Sequence, residues 1–179
     1  TLRDVEIRNR IFIAPMCMYS CEDRDGMPNQ WHLVHLGSRA SGGAGMIIAE
    51  ATAVRPDGRI TPWCTGLWNE GQAARWSEVN DFIRSQGAKS AIQLAHAGRK
   101  ASTHREGSGV GSVSEAEGGW QTVSSTDVAF DGYAAPRALA TDEIGELVRD
   151  WANSARLAVA AGFDAIEIHA AHGYLIHQF

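Results

Sequence analysis

Cysteine is scarce in this chain, and an excess of positive charge is missing altogether. Cys17, Cys21 and Cys64 are too few and too odd in number for a disulfide framework, which points to a reducing, cytoplasmic setting. Sixteen Lys and Arg against 21 Asp and Glu leave a net charge of −5, which argues against a nucleic-acid partner. No apolar run approaches the roughly 18 residues of a membrane span, and no basic-then-apolar leader opens the sequence, so no membrane partner is expected either. Low-complexity tracts and sequence repeats are also missing. What remains is an ordinary globular composition, 44% apolar and 21% charged over 179 residues, and the length suggests a single domain.

Four apolar, β-branched-rich runs stand out: Arg10–Pro15, Met46–Val54, Lys89–Leu94 and Asp164–Ala170. None alternates cleanly between apolar and polar residues. Near-continuous apolar runs are the mark of strands covered on both faces, as in a parallel α/β sheet. Helical patterns lie between them. Trp31–Ala40 closes on Ser41-Gly42-Gly43. Glu70–Gln86 gathers Ala73, Trp76, Val79, Phe82 and Ile83 on one face and stops at Gly87. A third helix opens at Thr141, expected as its cap, with Asp142 and Glu143 against the positive end of the dipole, and stops at Gly162. The order reads β-α-β-α-β-α-β. Thr1–Asn9 suggests a short hairpin before the repeat, and His96–Pro136 is one long irregular connection of a kind that is usually functional.

The chemistry gathers at the strand ends, where parallel α/β folds build their pockets. After the fourth run stand His169, His172 and Tyr174. Two imidazoles three residues apart can aim N–H donors at one oxygen as it gains charge, and the phenol can donate a proton. The plainer reading is a hydrogen-bonded core histidine with a packing tyrosine. With Glu167 the pair also offers three possible metal ligands, the basis for a metal-dependent hydrolase, although no further ligand follows. The first run ends in Met16, Cys17, Met18 and Tyr19, soft groups suited to a flat polarizable ring, or equally to core gap-filling. Cys17 and Cys21 lack the partner pair that a metal site needs. Gln93 ends the third run with an amide able to pair with an imide-like ring edge. Arg99 and Lys100 beyond it read equally well as a solvated cationic loop. Glu50 and Arg55 read as structural. His32 and His35, at i and i+3 on the first helix, suit a surface or interface role better than catalysis. Two glycine-rich segments do not suit a phosphate cradle: 41–45 precedes a strand instead of following one, and 107–112 lies inside the long loop with no strong helix start nearby.

The segments APMCMYS (14–20), GRITPWCTGLW (58–68), IQLAHAGRK (92–100) and GFDAIEIHAAHGYLIHQF (162–179) resemble, in order and spacing, the N-terminal half of the old yellow enzymes. These are flavin-dependent ene-reductases on a TIM (β/α)₈ barrel. The Cys-Met-Tyr variant of the first motif resembles the thermophilic-like branch of NADPH dehydrogenases and xenobiotic reductases. The resemblance implies FMN as cofactor and NADPH or NADH as reductant. It places Ala14, Pro15, Met16, Cys17, Ala51 and Gln93 on the flavin, with Cys17 tuning its potential. His169 and His172 would hold the carbonyl oxygen of an α,β-unsaturated substrate, Tyr19 and Tyr174 would border it, and Tyr174 would donate the proton. Lys100 matches a family position without a firm role.

The expected architecture is thus residues 1–179 as a partial barrel of four βα units, with a long loop at about 96–136. A full barrel needs eight strands and typically about 250 residues. The second half would carry the flavin phosphate site, so weak flavin affinity is expected of this chain alone, together with homo-oligomerisation or association with the complementary half. The alternatives are a non-catalytic half-barrel that pairs with another chain, or the metal-dependent hydrolase.

Overall fold

The computed structural model describes residues 1–179 throughout. Its core is a four-stranded parallel sheet in the order β1-β2-β3-β6. The strands are β1 (Phe12–Ile13), β2 (Met46–Ala53), β3 (Lys89–Ala95) and β6 (Ala165–Ile168). Three helices connect them: α1 (Gln30–Ser41), α2 (Glu70–Ser85) and α3 (Thr141–Ala160). The four apolar runs and three helical patterns therefore all form, with β1, β2, α2 and β6 shorter than expected and β3 and α1 extended by a residue at one or both ends. β2 and β3 are buried along almost their whole length, as their unbroken apolar character requires. Behind them Trp76, Leu67, Ile83, Ile47 and Ile92 fill the space between sheet and helices.

The outer strands differ. β1 keeps only two of its six expected residues, because it has a neighbour on one side only and Pro15 follows it. β6 has no partner beyond β3, and Ile168 is 60% exposed. Around it Val148 and Trp151 of α3, together with Leu175, Ile176 and Phe179, line an apolar groove of about 430 Å³.

Several expectations change. The N-terminal hairpin shrinks to one antiparallel bridge, Leu2 to Val5, since its alternating residues find no sheet to extend. Thr141 is not the cap of α3 but its first residue. Ala140 precedes the helix, and the Glu143 carboxylate accepts the Ala140 N–H at 2.8 Å while pairing with Arg137. The stretch 96–136 is irregular over most of its length, as expected, but it is pinned at several points. Thr103 bridges to Ser112, and β4 (Val123–Ser124) pairs with β5 (Arg137–Ala138), folding the excursion back over the sheet's C-terminal end. Trp120 anchors it by donating its indole N–H to Asp57 O at 2.9 Å.

His32 and His35 do not reach a surface. Both are buried, at 1% and 7% exposure, on the face of α1 that meets the sheet. Their helical spacing was legible, but the side that they occupy depends on what packs there. At the end of β3, His96 is also fully enclosed. Its Nδ1 accepts the Gly98 N–H at 3.1 Å, and burial pushes the imidazole pKa down to about 4. Its ring lies so close to Gly58 that a Cβ there would stand 2.9 Å from Cδ2.

Candidate active site

Each strand ends at the same rim, and the residues that follow them close a cavity of about 430 Å³. Pro15, Cys17 and Tyr19 come from the turn after β1, Ala51 from β2 and Gln93 from β3. Glu167, His169, His172 and Tyr174 come from β6 and the segment after it, and Ile60 from the turn after β2. Of the ten residues singled out in the sequence, eight line this one cavity. Ala14 and Met16 do not: in the segment after β1 both are exposed, Met16 at 48%, between the less exposed Ile13, Pro15 and Cys17. Ile60 and Glu167 are additions. Ile60 belongs to the segment GRITPWCTGLW (58–68), and from sequence Glu167 offers itself only as a metal ligand. In fact no group of three or more His, Cys, Asp or Glu is arranged to hold a metal ion.

Two strained residues shape the site. Tyr19 has φ +50° and His172 has φ +57°, the left-handed region that non-glycine residues enter at a cost of about 1–2 kcal/mol. Hydrogen bonds hold both. Asn29 Nδ2 donates to Ser20 O at 2.7 Å, fixing the turn after β1. Lys100 Nζ donates to His172 O at 2.8 Å and lies 5.0 Å from the Tyr174 ring centre. Lys100 is therefore not a free solvated cation. Arg55, read as structural, pairs with Asp57 and Asp150 outside the cavity.

The imidazoles converge as their spacing suggested. The rings of His169 and His172 lie 5.2 Å apart, edge to face, and the Tyr174 ring lies 5.0 Å from that of His169. The His169 N–H donates to Leu94 O at 2.9 Å, so the backbone stays in register one residue past β6. Its Nδ1 accepts the Ala171 N–H at 3.4 Å, which leaves Nε2 to carry the ring proton. Burial, with His172 next in effect, lowers the His169 pKa and keeps that imidazole neutral at neutral pH. Burial raises the Tyr174 phenol to about 12, so it stays protonated. One step back along the same strands, Gln93 Nε2 donates to Glu167 Oε1 at 2.5 Å. An amide has two N–H bonds and a carbonyl, so one N–H and the oxygen remain for a ligand. Glu167 thus orients Gln93.

These walls fit a flat heterocycle. A thiol, an amide, two imidazoles and two phenols line a volume within the roughly 300–1,000 Å³ usual for cofactor and ligand sites.

The model of the NADH:flavin oxidoreductase / NADH oxidase family matches residues 1–179. The chain is 46% identical over 179 residues to an NADPH dehydrogenase of Listeria welshimeri, covering 99% of this chain and 48% of that protein. An NADPH dehydrogenase of Bacillus velezensis is 42% identical over 180 residues, covering 100% and 49%. Among solved structures, morphinone reductase superposes with a TM-score of 0.81 at 29% identity, covering 96% of this chain and 46% of that one. The old yellow enzyme homologue of Zymomonas mobilis gives 0.80 at 32%, covering 96% and 47%. The chain spans about half the length of the curated relatives it matches. Its open parallel sheet is one half of a (β/α)₈ barrel, and it belongs to the NADH:flavin oxidoreductase / NADH oxidase family, the old yellow enzymes.

Proposed function

We propose that the protein is an FMN-dependent reductase, supplied by NADPH or NADH, that reduces the C=C bond of α,β-unsaturated carbonyl compounds. One observation carries this reading: Cys17 and Gln93 share a single cavity with His169, His172 and Tyr174. Relatives named NADPH dehydrogenase, and a solved complex of morphinone reductase with tetrahydroNAD, support the nicotinamide reductant.

Pro15, Cys17 and Ala51 would pack on the flavin ring, and the free N–H and oxygen of Gln93 would pair with its pyrimidine edge. When bound, the flavin supplies a hydride to the β-carbon of the substrate. The residues of this chain do the rest. His169 Nε2–H and the His172 ring bind the carbonyl oxygen and stabilise the negative charge that gathers there as the enolate forms. The Ala171 N–H holds the His169 ring and Lys100 holds the backbone at His172, so the segment that carries both donors is set beforehand. Tyr174 keeps its proton at neutral pH and gives it to the α-carbon, recovering one from solvent afterwards. Three free thiols suit a reducing, cytoplasmic compartment.

The apolar groove beside β6 favours a second element of the reading. The lone edges of β1 and β6 and the exposed Ile168, Ile176 and Phe179 are covered by further βα units that complete the barrel and supply the anion site for the cofactor phosphate. One experiment tests both parts: a visible spectrum and sedimentation analysis of the purified protein with added FMN. A perturbed flavin band in a species with a completed barrel or an associated chain is expected. A compact monomer of 19.3 kDa that leaves the FMN spectrum unchanged contradicts the reading.

A further inference from the structure

β2 carries one residue more than its partner. Ala49 pairs with Ile92 and Ala51 with Gln93, so Glu50 falls between consecutive partners and has none of its own. Such a bulge re-aims a side chain, and bulges gather beside active sites. Ala51 faces the cavity. The Glu50 side chain is enclosed, 5% exposed, and meets the turn after β1. Its Oε2 accepts the Met18 N–H at 3.0 Å, and its Oε1 lies 3.3 Å from Nε2 of the buried His32. The His32 Nδ1 accepts the Asn29 N–H at 3.0 Å. The same Nδ1 lies 3.1 Å from Asn29 Oδ1, and Nε2 stands beside Glu50 without hydrogen-bond geometry.

Met18 stands between Cys17 and Tyr19, the two cavity-lining residues of the turn, and Tyr19 is left-handed. A backbone hydrogen bond at Met18 therefore fixes both neighbours at once. We propose that Glu50 is a positioning residue that sets the Cys17–Tyr19 turn in the cavity and places a negative charge behind the Cys17 thiol. The inference deepens the proposed function and rests on it for its meaning, because a buried anion there opposes electron gain by a ring packed on Cys17.

Other groups bear on the same thiol. Burial raises its pKa most, then Cys64, then Glu50, while the Ala51 backbone and the Tyr19 hydroxyl act the other way. Tyr174, His169 and His172 share the cavity. The thiol is thus held protonated.

Alkylation of Cys17 by iodoacetamide across a pH series, read by mass spectrometry of the peptide carrying residue 17, requires no flavin. In the unsubstituted protein the midpoint lies above the ordinary thiol value of about 8.5, and a midpoint at or below it overturns the inference without any variant. Glu50→Gln keeps an acceptor for Met18 N–H and removes the charge. It raises alkylation at pH 8 about tenfold, the equivalent of one pKa unit. Glu50→Ala also releases the turn and raises the rate further. A folded Glu50→Gln protein whose rate stays within about twofold of the original overturns the inference. That failure with a perturbed flavin band intact leaves the proposed function standing. The expected alkylation shift without any flavin binding contradicts only the proposed function.

Discussion

Replacing His169 or His172 with alanine in the flavin-loaded protein lowers enone reduction by about 10²–10³-fold, the cost of removing one preorganised donor from a developing oxyanion. The charge appears on one oxygen, and the two rings lie 5.2 Å apart around the place where it would sit. Oxidation of the nicotinamide by an acceptor that needs no polarised carbonyl should change by less than about threefold, because no oxygen gains charge in that step. The backbone at 172 refines the expectation. With φ +57°, alanine adds strain to the lost donor, whereas asparagine tolerates the left-handed region and keeps an N–H. His172→Asn should therefore lose less activity than His172→Ala. Equal loss in both half-reactions would show that these rings hold the cofactor or the fold rather than the oxygen. Stopped-flow measurement of each half-reaction separates the cases.

Acidification should unfold the protein through His96. Its folded pKa of about 4 lies below the unfolded value of about 6.5, because burial penalises the imidazolium. The unfolded chain therefore takes up the proton first as pH falls. The contribution of a neutral His96 is complete above pH 6.5 and is lost progressively between about 6.5 and 4, by about 3 kcal/mol in all. That is a large share of the 5–15 kcal/mol stability of a typical domain. Urea midpoints measured from pH 7 to pH 4 should fall steeply, and His96→Asn should flatten that slope. A slope unchanged by the substitution would mean that other groups carry the acid sensitivity. His96 has no direct part in the chemistry, yet it begins the excursion that carries Lys100 to His172.

Much of the architecture was legible because it is set locally. Unbroken apolar runs gave β2 and β3, and glycines at 42, 87 and 162 marked where the helices end. The convergence of Cys17, Gln93, His169, His172 and Tyr174 was legible too, since parallel strands bring their C-terminal ends to one side. What was not legible depends on partners distant in sequence. Periodicity says that His32 and His35 share a helical face, but only packing decides that this face is inside. The bulge at Glu50 leaves no mark on a run that is apolar on both sides of it. Lys100 resembled a solvated loop residue because its acceptor, His172 O, lies 72 residues away. The left-handed conformations of Tyr19 and His172 arise from hydrogen bonds and not from glycine, so no residue type announced them.

The central claim is that one wall of this cavity receives a flavin ring while the opposite wall receives an oxygen that becomes negative. A crystal structure of the protein soaked with FMN and a non-reducible enone analogue tests it most directly. The claim predicts the ring against Cys17, with the Gln93 amide within about 3.2 Å of its pyrimidine edge and the analogue's oxygen within the same reach of the His169 and His172 nitrogens. A flavin seated elsewhere, or an analogue oxygen turned away from both imidazoles, contradicts it.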